Sequence, residues 1–211
     1  MVREIWIYIE GGGRNGTEGA SALRRGFKGF FRELMSRAEQ NNIDWYNIAC
    51  GGRQQAYTDF VTERQDSAEE VLHILLVDSE GPVDPDCPHW KHLRERREDQ
   101  WELCEDDEKY LHLMVQTMEA WLIADRKALR EFYGEGFKEE KLPDDDVEKI
   151  PKRLLPIKLR AATRKSDKGT YDKKHGFDII GILDVATVRK AAPHCEALFQ
   201  VLEEQLGISS Q

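Results

Sequence analysis

The stretch VLHILLVDSEG, residues 71–81, decides how the chain folds. Residues 72–77 are apolar apart from His73, the pattern of a strand covered on both faces, as in a parallel sheet with helices on either side. The run ends abruptly at Asp78-Ser79-Glu80-Gly81. If the backbone stays extended past the strand, Asp78 and Glu80, two residues apart, project to the same side. Two like charges so placed repel each other, and a cation between them relieves the repulsion. An open α/β sheet also binds its ligand in the crevice beyond the carboxyl ends of its strands. The stretch therefore predicts both a parallel sheet and a divalent-metal site at its rim.

Upstream, EIWIYI over residues 4–9 reads as the first strand, closed by Glu10 and followed by Gly11-Gly12-Gly13. Glycines there leave room for a ligand to approach a carboxylate fixed at the strand end. They equally suit a tight turn into the next helix. Gly11-x-Gly13-x-x-Gly16 matches the dinucleotide-binding fingerprint. That reading is set aside, because Glu10 would sit against the pyrophosphate and the second strand ends in Cys50-Gly51-Gly52 instead of a ribose-binding acid. A helix is predicted over residues 18–40, its apolar stripe made by Leu23, Phe27, Phe30, Phe31, Leu34 and Ala38. Arg24, Arg25, Lys28, Arg32 and Arg37 form its polar face, with Arg24 and Arg25 in the turns nearest the crevice. A strand over 45–49 and a helix over 54–65 complete a βαβαβ order.

Downstream, residues 82–107 read as a charged crossover with one short helix. Its Cys87, His89, His92 and Cys104 fit no familiar spacing of zinc ligands. Residues 110–116 read as a fourth strand, with Glu119 just beyond it as a third acid near a strand end or as a first-turn helix acid. Asp125 reads as a helix-end residue. Helices are expected over 126–133, 151–164, 177–183, 186–191 and 193–206. The expected fold is α/β: a mostly parallel, Rossmann-like sheet of four strands flanked by helices over residues 1–133, with a helical C-terminal extension over 134–211 packed on it.

The 211 residues are enough to bury a substantial core. No run of about 18 apolar residues occurs, so no membrane span is expected. With no basic and apolar leader at the start, a soluble cytoplasmic protein is expected. Four scattered cysteines suit reduced thiols. A net charge of -9 argues against gripping nucleic acid by bulk positive charge. The acidity is uneven, though: between Lys149 and Lys174 ten basic residues stand against two acids, and this local surface can meet a phosphate backbone. Acids at the ends of strands one, three and four have the arrangement of a magnesium-dependent phosphoryl-transfer site. No serine, histidine or cysteine stands out as a nucleophile beside an orienting base.

The motifs IEGGG at 9–13, LLVDSEG at 75–81 and MEAWLIAD at 118–125 resemble the Toprim fold shared by topoisomerases, primases and overcoming-lysogenization-defect nucleases. With the tail from Tyr171 to Pro193-His194-Cys195, they resemble more closely a compact bacterial family with a Toprim-like core, over nearly the whole chain. The resemblance implies a small Toprim-type nuclease or toxic effector, encoded in phage-defence loci and restrained by an ATPase partner of the ABC or SMC type. It also implies that Glu10 is the Toprim glutamate, serving as general acid/base or metal ligand, and that Asp78 is the first metal-binding aspartate. Glu80 takes the second acid's position, where aspartate is more usual; its longer side chain would displace the ion. For the lysine that some Toprim nucleases use to stabilise charge, Lys168, Lys173 and Lys174 are candidates by charge alone.

The expected function is a metal-dependent phosphodiesterase acting on DNA or RNA. Glu10, Asp78 and Glu80 would hold Mg2+ or Mn2+, with Glu119 supporting. Arg25, Arg153, Lys158, Arg160, Arg164, Lys168 and Lys174 would seat the nucleic acid. The alternative, drawn from the net negative charge and the helical C-terminal third, is a catalytically silent subunit that docks on an ATPase or senses a nucleotide.

Overall fold

The apolar run at 71–81 becomes the third strand of a four-stranded sheet in the computed structural model, which describes residues 2–13 and 15–208. The elements follow in the order β1 (Glu4–Ile9), α1 (Glu18–Phe30), α2 (Arg32–Gln40), β2 (Asp44–Ala49), α3 (Arg53–Asp66), β3 (Val71–Asp78), α4 (His89–Arg94), β4 (Leu111–Met114), α5 (Met118–Ala124), α6 (Arg126–Tyr133), α7 (Leu154–Thr163), α8 (Lys173–Ile180), α9 (Val185–Ala191) and α10 (Pro193–Gln205). All strand pairs are parallel, in the order β2-β1-β3-β4. The fold is thus α/β and Rossmann-like, with a helical C-terminus. Because β2 and β3 lie on opposite sides of β1, the strand order reverses there, and the crevice between the ends of β1 and β3 is the topological switch point.

Strand alternation sorts the core into two layers. Ile5, Ile7 and Ile9 of β1 and Leu72, Ile74 and Leu76 of β3 face one layer, with Leu23, Phe27 and Phe30 of α1, Trp121 of α5 and Leu198, Phe199 and Leu202 of α10. Tyr8, Leu75, Val77, Leu111 and Leu113 face the other, against Ala56 and Phe60 of α3, Leu93 of α4, and Trp101. Each fully buried aliphatic side chain contributes about 1.5–3 kcal/mol. The first layer runs without interruption from the sheet into α10.

Four of the expected elements differ from expectation by more than one residue. The helix expected over 18–40 breaks at Phe31 into α1 and α2. Phe31 ends the first helix and starts the second, and both Phe30 and Phe31 contact the ring of Phe199. The fourth strand is shorter than residues 110–116 at both ends: a 3-10 turn over Glu105–Tyr110 takes Tyr110, and the strand stops at Met114. The helix expected from 151 starts at Leu154. α8 begins four residues before the expected 177, capped by Asp172, whose Oδ1 accepts from the backbone N–H groups of Lys174 and His175 at 2.8 and 3.1 Å.

The extension docks through glycine. A Cβ on Gly26 would come within 2.2 Å of the Phe177 carbonyl oxygen, and one on Gly29 within 2.4 Å of that of Gly181. Gly26→Ala is therefore expected to destabilise the protein by about 1–3 kcal/mol; a urea midpoint equal to wild type would show that α1 and α8 separate at no cost. No helix among the described residues is long and apolar enough to cross a membrane.

Candidate functional site

Glu10 follows β1 on the Tyr8 side of the strand, so it leans toward α3. Arg53, in the first turn of α3, reaches its Oε2 with Nη1 at 3.3 Å. The backbone N–H of Asp78 donates to the same oxygen at 3.2 Å. Asp78 ends β3 on the opposite, Leu76 side, and its Oδ1 accepts from the N–H of Met118 at the start of α5, at 2.9 Å. The two acids thus approach the switch point from the two faces of the sheet.

Glu80 joins them by a different route from the extended one expected. Ser79 N–H donates to Met114 O at 3.1 Å and Glu80 N–H to Gln116 O at 3.0 Å, while Glu80 turns left-handed with φ +67°. The Ser79 hydroxyl holds the turn by donating to Gly81 O at 2.6 Å, and Lys152 Nζ holds the Glu80 carboxylate at 2.5 Å. Glu10, Asp78 and Glu80 each present a carboxylate oxygen within 4.8 Å of the others. Among the described residues no other trio of histidine, cysteine or acidic ligand atoms converges so closely. Cys87, His89, His92 and Cys104 therefore form no zinc set: His92 Nε2 donates to Ser79 O (3.0 Å) and His89 Nδ1 to Leu111 O (2.8 Å).

Three cations surround the acids. Arg53 also donates to the Asp78 carbonyl, pairs through Nε with Asp99 at 2.8 Å, and lies over the Trp101 ring at 4.6 Å. Arg96 pairs with Asp99 at 2.9 Å and stands 4.0 Å from Glu80. Lys152 completes the set. Burial, together with the Glu10 and Glu119 charges, pushes the Asp78 carboxyl well above the usual aspartate range. Burial also raises Glu10, with Arg53 opposing. Carboxyls perturbed this way hold a proton or a cation more readily than ordinary surface acids do.

Residues 22–203 match a family profile described as a domain of unknown function (DUF4276). The chain belongs to the DUF4276 family. No curated protein and no solved structure matches it. In this DUF4276 chain the matched region takes in Asp78, Glu80 and their three cations, and begins after Glu10.

Glu119 stands apart from the converging trio. It is 6% exposed, and both its oxygens are used: Oε1 accepts from the Tyr171 hydroxyl at 3.0 Å and Oε2 from Thr117 Oγ1 at 2.7 Å. It fastens the segment before α8 to the α5 turn that positions Asp78, and acts on Asp78 through its charge. Asp125 is a helix cap, accepting from Ala128 N–H at 3.0 Å and, on its other oxygen, from Asp184 N–H at 2.7 Å.

The expected basic residues are dispersed. Arg153, Lys158, Arg160 and Arg164 lie on or beside α7. Lys168 stands over the Phe132 ring, and Lys174 pairs with Glu18 at 3.7 Å. Arg24 stays by the loop after β1, on Asn15 at 3.1 Å. Arg25, expected near the crevice, instead lines a hollow at the start of β2, because one residue along a helix turns a side chain by about 100°. The glycines at the ends of β1 and β2 pack locally: Gly11 and Gly51 exchange N–H···O bonds at 2.8 and 2.9 Å, and a Cβ on Gly12 would come within 2.9 Å of Ala20.

Sequence reasoning missed Arg53, Arg96 and Lys152. Arg53 had a usable signal: it follows Cys50-Gly51-Gly52 at the end of the second strand, and in a parallel sheet all strand ends share one rim.

Proposed function

We propose that this chain is a Toprim-type phosphodiesterase dependent on Mg2+ or Mn2+ that cleaves DNA or RNA, acting in the cytoplasm as an anti-phage effector under the control of an ABC- or SMC-type ATPase. The observation that carries the chemistry is the convergence of Glu10, Asp78 and Glu80 within 4.8 Å at the switch point. The donor set fits: carboxylate oxygens are the ligands hard cations take. A bound cation would polarise a phosphate oxygen and acidify a water. The chain's own part is to hold the acids and neutralise phosphate. Arg53 fixes Glu10 and the rim backbone, while Lys152 and Arg96 can exchange Glu80 for phosphate oxygens. Arg153, Lys158, Arg160 and Arg164, on or beside the helix that begins two residues after Lys152, are the basic residues that would seat a nucleic-acid backbone. The defence role and the ATPase partner are supported by the motif resemblance.

The test incubates purified protein with labelled DNA and RNA in EDTA, Mg2+ or Mn2+. Cleavage is expected only with metal and is lost in Asp78→Ala; metal-dependent cleavage surviving that change overturns the assigned site.

One observation favours a second reading, a catalytically silent subunit that docks on an ATPase or senses a nucleotide: two of the three acids already have cationic partners, Glu10 in Arg53 and Glu80 in Arg96 and Lys152. Melting curves in increasing Mn2+ separate the two, since a silent subunit shows no stabilisation that depends on Asp78 and Glu80.

A further inference from the structure

β2 is the outer strand of the sheet, hydrogen-bonded to β1 alone. The N–H groups of Asp44 and Cys50 point inward, to Arg3 O (2.9 Å) and Ile9 O (3.0 Å). By the alternation of a parallel ladder, the backbone groups of Trp45, Asn47 and Ala49 point outward; Ala49 is buried, which leaves Trp45 and Asn47 as the open positions. Natural proteins blunt such edges with proline, lysine, bulges or a covering segment. β2, DWYNIA, has neither proline nor lysine, and Tyr46 on it is 45% exposed.

Beside this edge lies a hollow of about 960 Å³ lined by Arg25, Lys28 and Arg32 together with Met35, Asp44 and Trp45. The three cations recur at helical spacing, and among the described residues none of them makes an ion pair. Glu39 and Asp44 also line the hollow, which still keeps a positive excess on a chain whose net charge is -9.

We propose that the β2 edge receives an extended acidic segment of a partner protein as a fifth strand. Backbone pairing to Trp45 and Asn47 supplies the attachment, and the two faces supply the selection. On the α1 and α2 side, alternate residues of the incoming strand meet Arg25, Lys28 and Arg32 and are acidic. On the opposite side the intervening residues meet Tyr46 and Ile48 and are apolar. The occupant thus has an acid-apolar alternation of period two. A second copy of this chain fits worse: two β2 edges paired about a two-fold axis keep α1 and α2 of both copies on one face, so that basic stripe meets basic stripe. This inference uses no part of the acidic rim and stands or falls independently of the phosphodiesterase reading.

The experiment titrates full-length protein into a fluorescein-labelled octapeptide of alternating glutamate and valine, with a lysine-valine octapeptide and a single-stranded DNA octamer as the other arms, by fluorescence anisotropy. Amide exchange at Trp45 and Asn47 is followed in parallel. Binding of the glutamate peptide and not the lysine peptide, with slowed exchange at those two amides, is expected; DNA bound elsewhere on the chain leaves both unchanged. The double change Lys28→Glu and Arg32→Glu, on exposed positions where the fold is unaffected, weakens it about tenfold. Failure of the glutamate peptide to bind, unchanged affinity in the double variant, or binding without protection of the β2 amides overturns the proposal. So does DNA binding that displaces the glutamate peptide and is lost in the double variant, which would assign the stripe to phosphate.

Discussion

Asp78→Asn is expected to make the metal-free protein more stable while reducing metal-dependent cleavage about a thousandfold, several kcal/mol of transition-state stabilisation. Asp78 is buried at the end of β3 beside Glu10 and Glu119, and its carboxyl is raised well above the usual range. The sign follows from that direction. A carboxyl whose folded pKa lies above its unfolded value favours the folded state when protonated. That contribution is fully present below about pH 3.9, the ordinary aspartate value, and is lost as pH rises through the raised folded value. Asparagine keeps an oxygen to accept from Met118 N–H and never ionises. The variant's advantage, about 1–2 kcal/mol, or about 2–4 °C in melting temperature per kcal/mol, should therefore be largest near neutral pH and vanish below pH 4. Adding Mn2+ should reverse the order, because only wild type gains the ligand's binding energy. A variant that melts no higher than wild type at pH 7 and no lower in Mn2+ would mean that Asp78 is an ordinary satisfied acid.

The rim was legible where the sequence is rigid, and obscure where it is not. Strand alternation and the buried run at 72–77 place Glu10 and Asp78 with little freedom, because a parallel sheet brings all its strand ends to one edge. Glu80 lies beyond the last paired strand residue, so its position follows from the Ser79 turn and from Lys152, seventy-two residues away. Arg53, Arg96 and Lys152 were hidden for a related reason: a long side chain can bring its charge to many places, and tertiary packing chooses among them. Glu119 looked like a rim acid because its partner Tyr171 is fifty-two residues distant. The docking of α8 on α1 is written in Gly26 and Gly29, whose missing side chains carry no periodic signal.

Arg53→Met is expected to destabilise the metal-free protein by about 3–5 kcal/mol, the range seen when one member of a buried ion pair is removed. The guanidinium side chain is 12% exposed and that of its partner Glu10 18%, so solvent does little to screen the loss. Asp99 retains Arg96 at 2.9 Å, whereas Glu10 is left with the single N–H of Asp78 at 3.2 Å. The deficit therefore belongs chiefly to Glu10. Adding Glu10→Gln should restore most of it, and the double-mutant cycle should give a coupling of about 1–3 kcal/mol. The pH dependence has a fixed sign: burial already raises Glu10 and Arg53 opposes the rise, so removing Arg53 raises it further. Protonation then relieves the unpaired charge, and the deficit at pH 5 is smaller than at pH 8. Metal decides between the two functional readings. If a divalent cation binds the acids, it takes over the neutralisation that Arg53 provided, and Mn2+ raises the melting temperature of Arg53→Met more than that of wild type. If the three cations are instead the permanent partners of a silent site, Mn2+ leaves the variant as unstable as before.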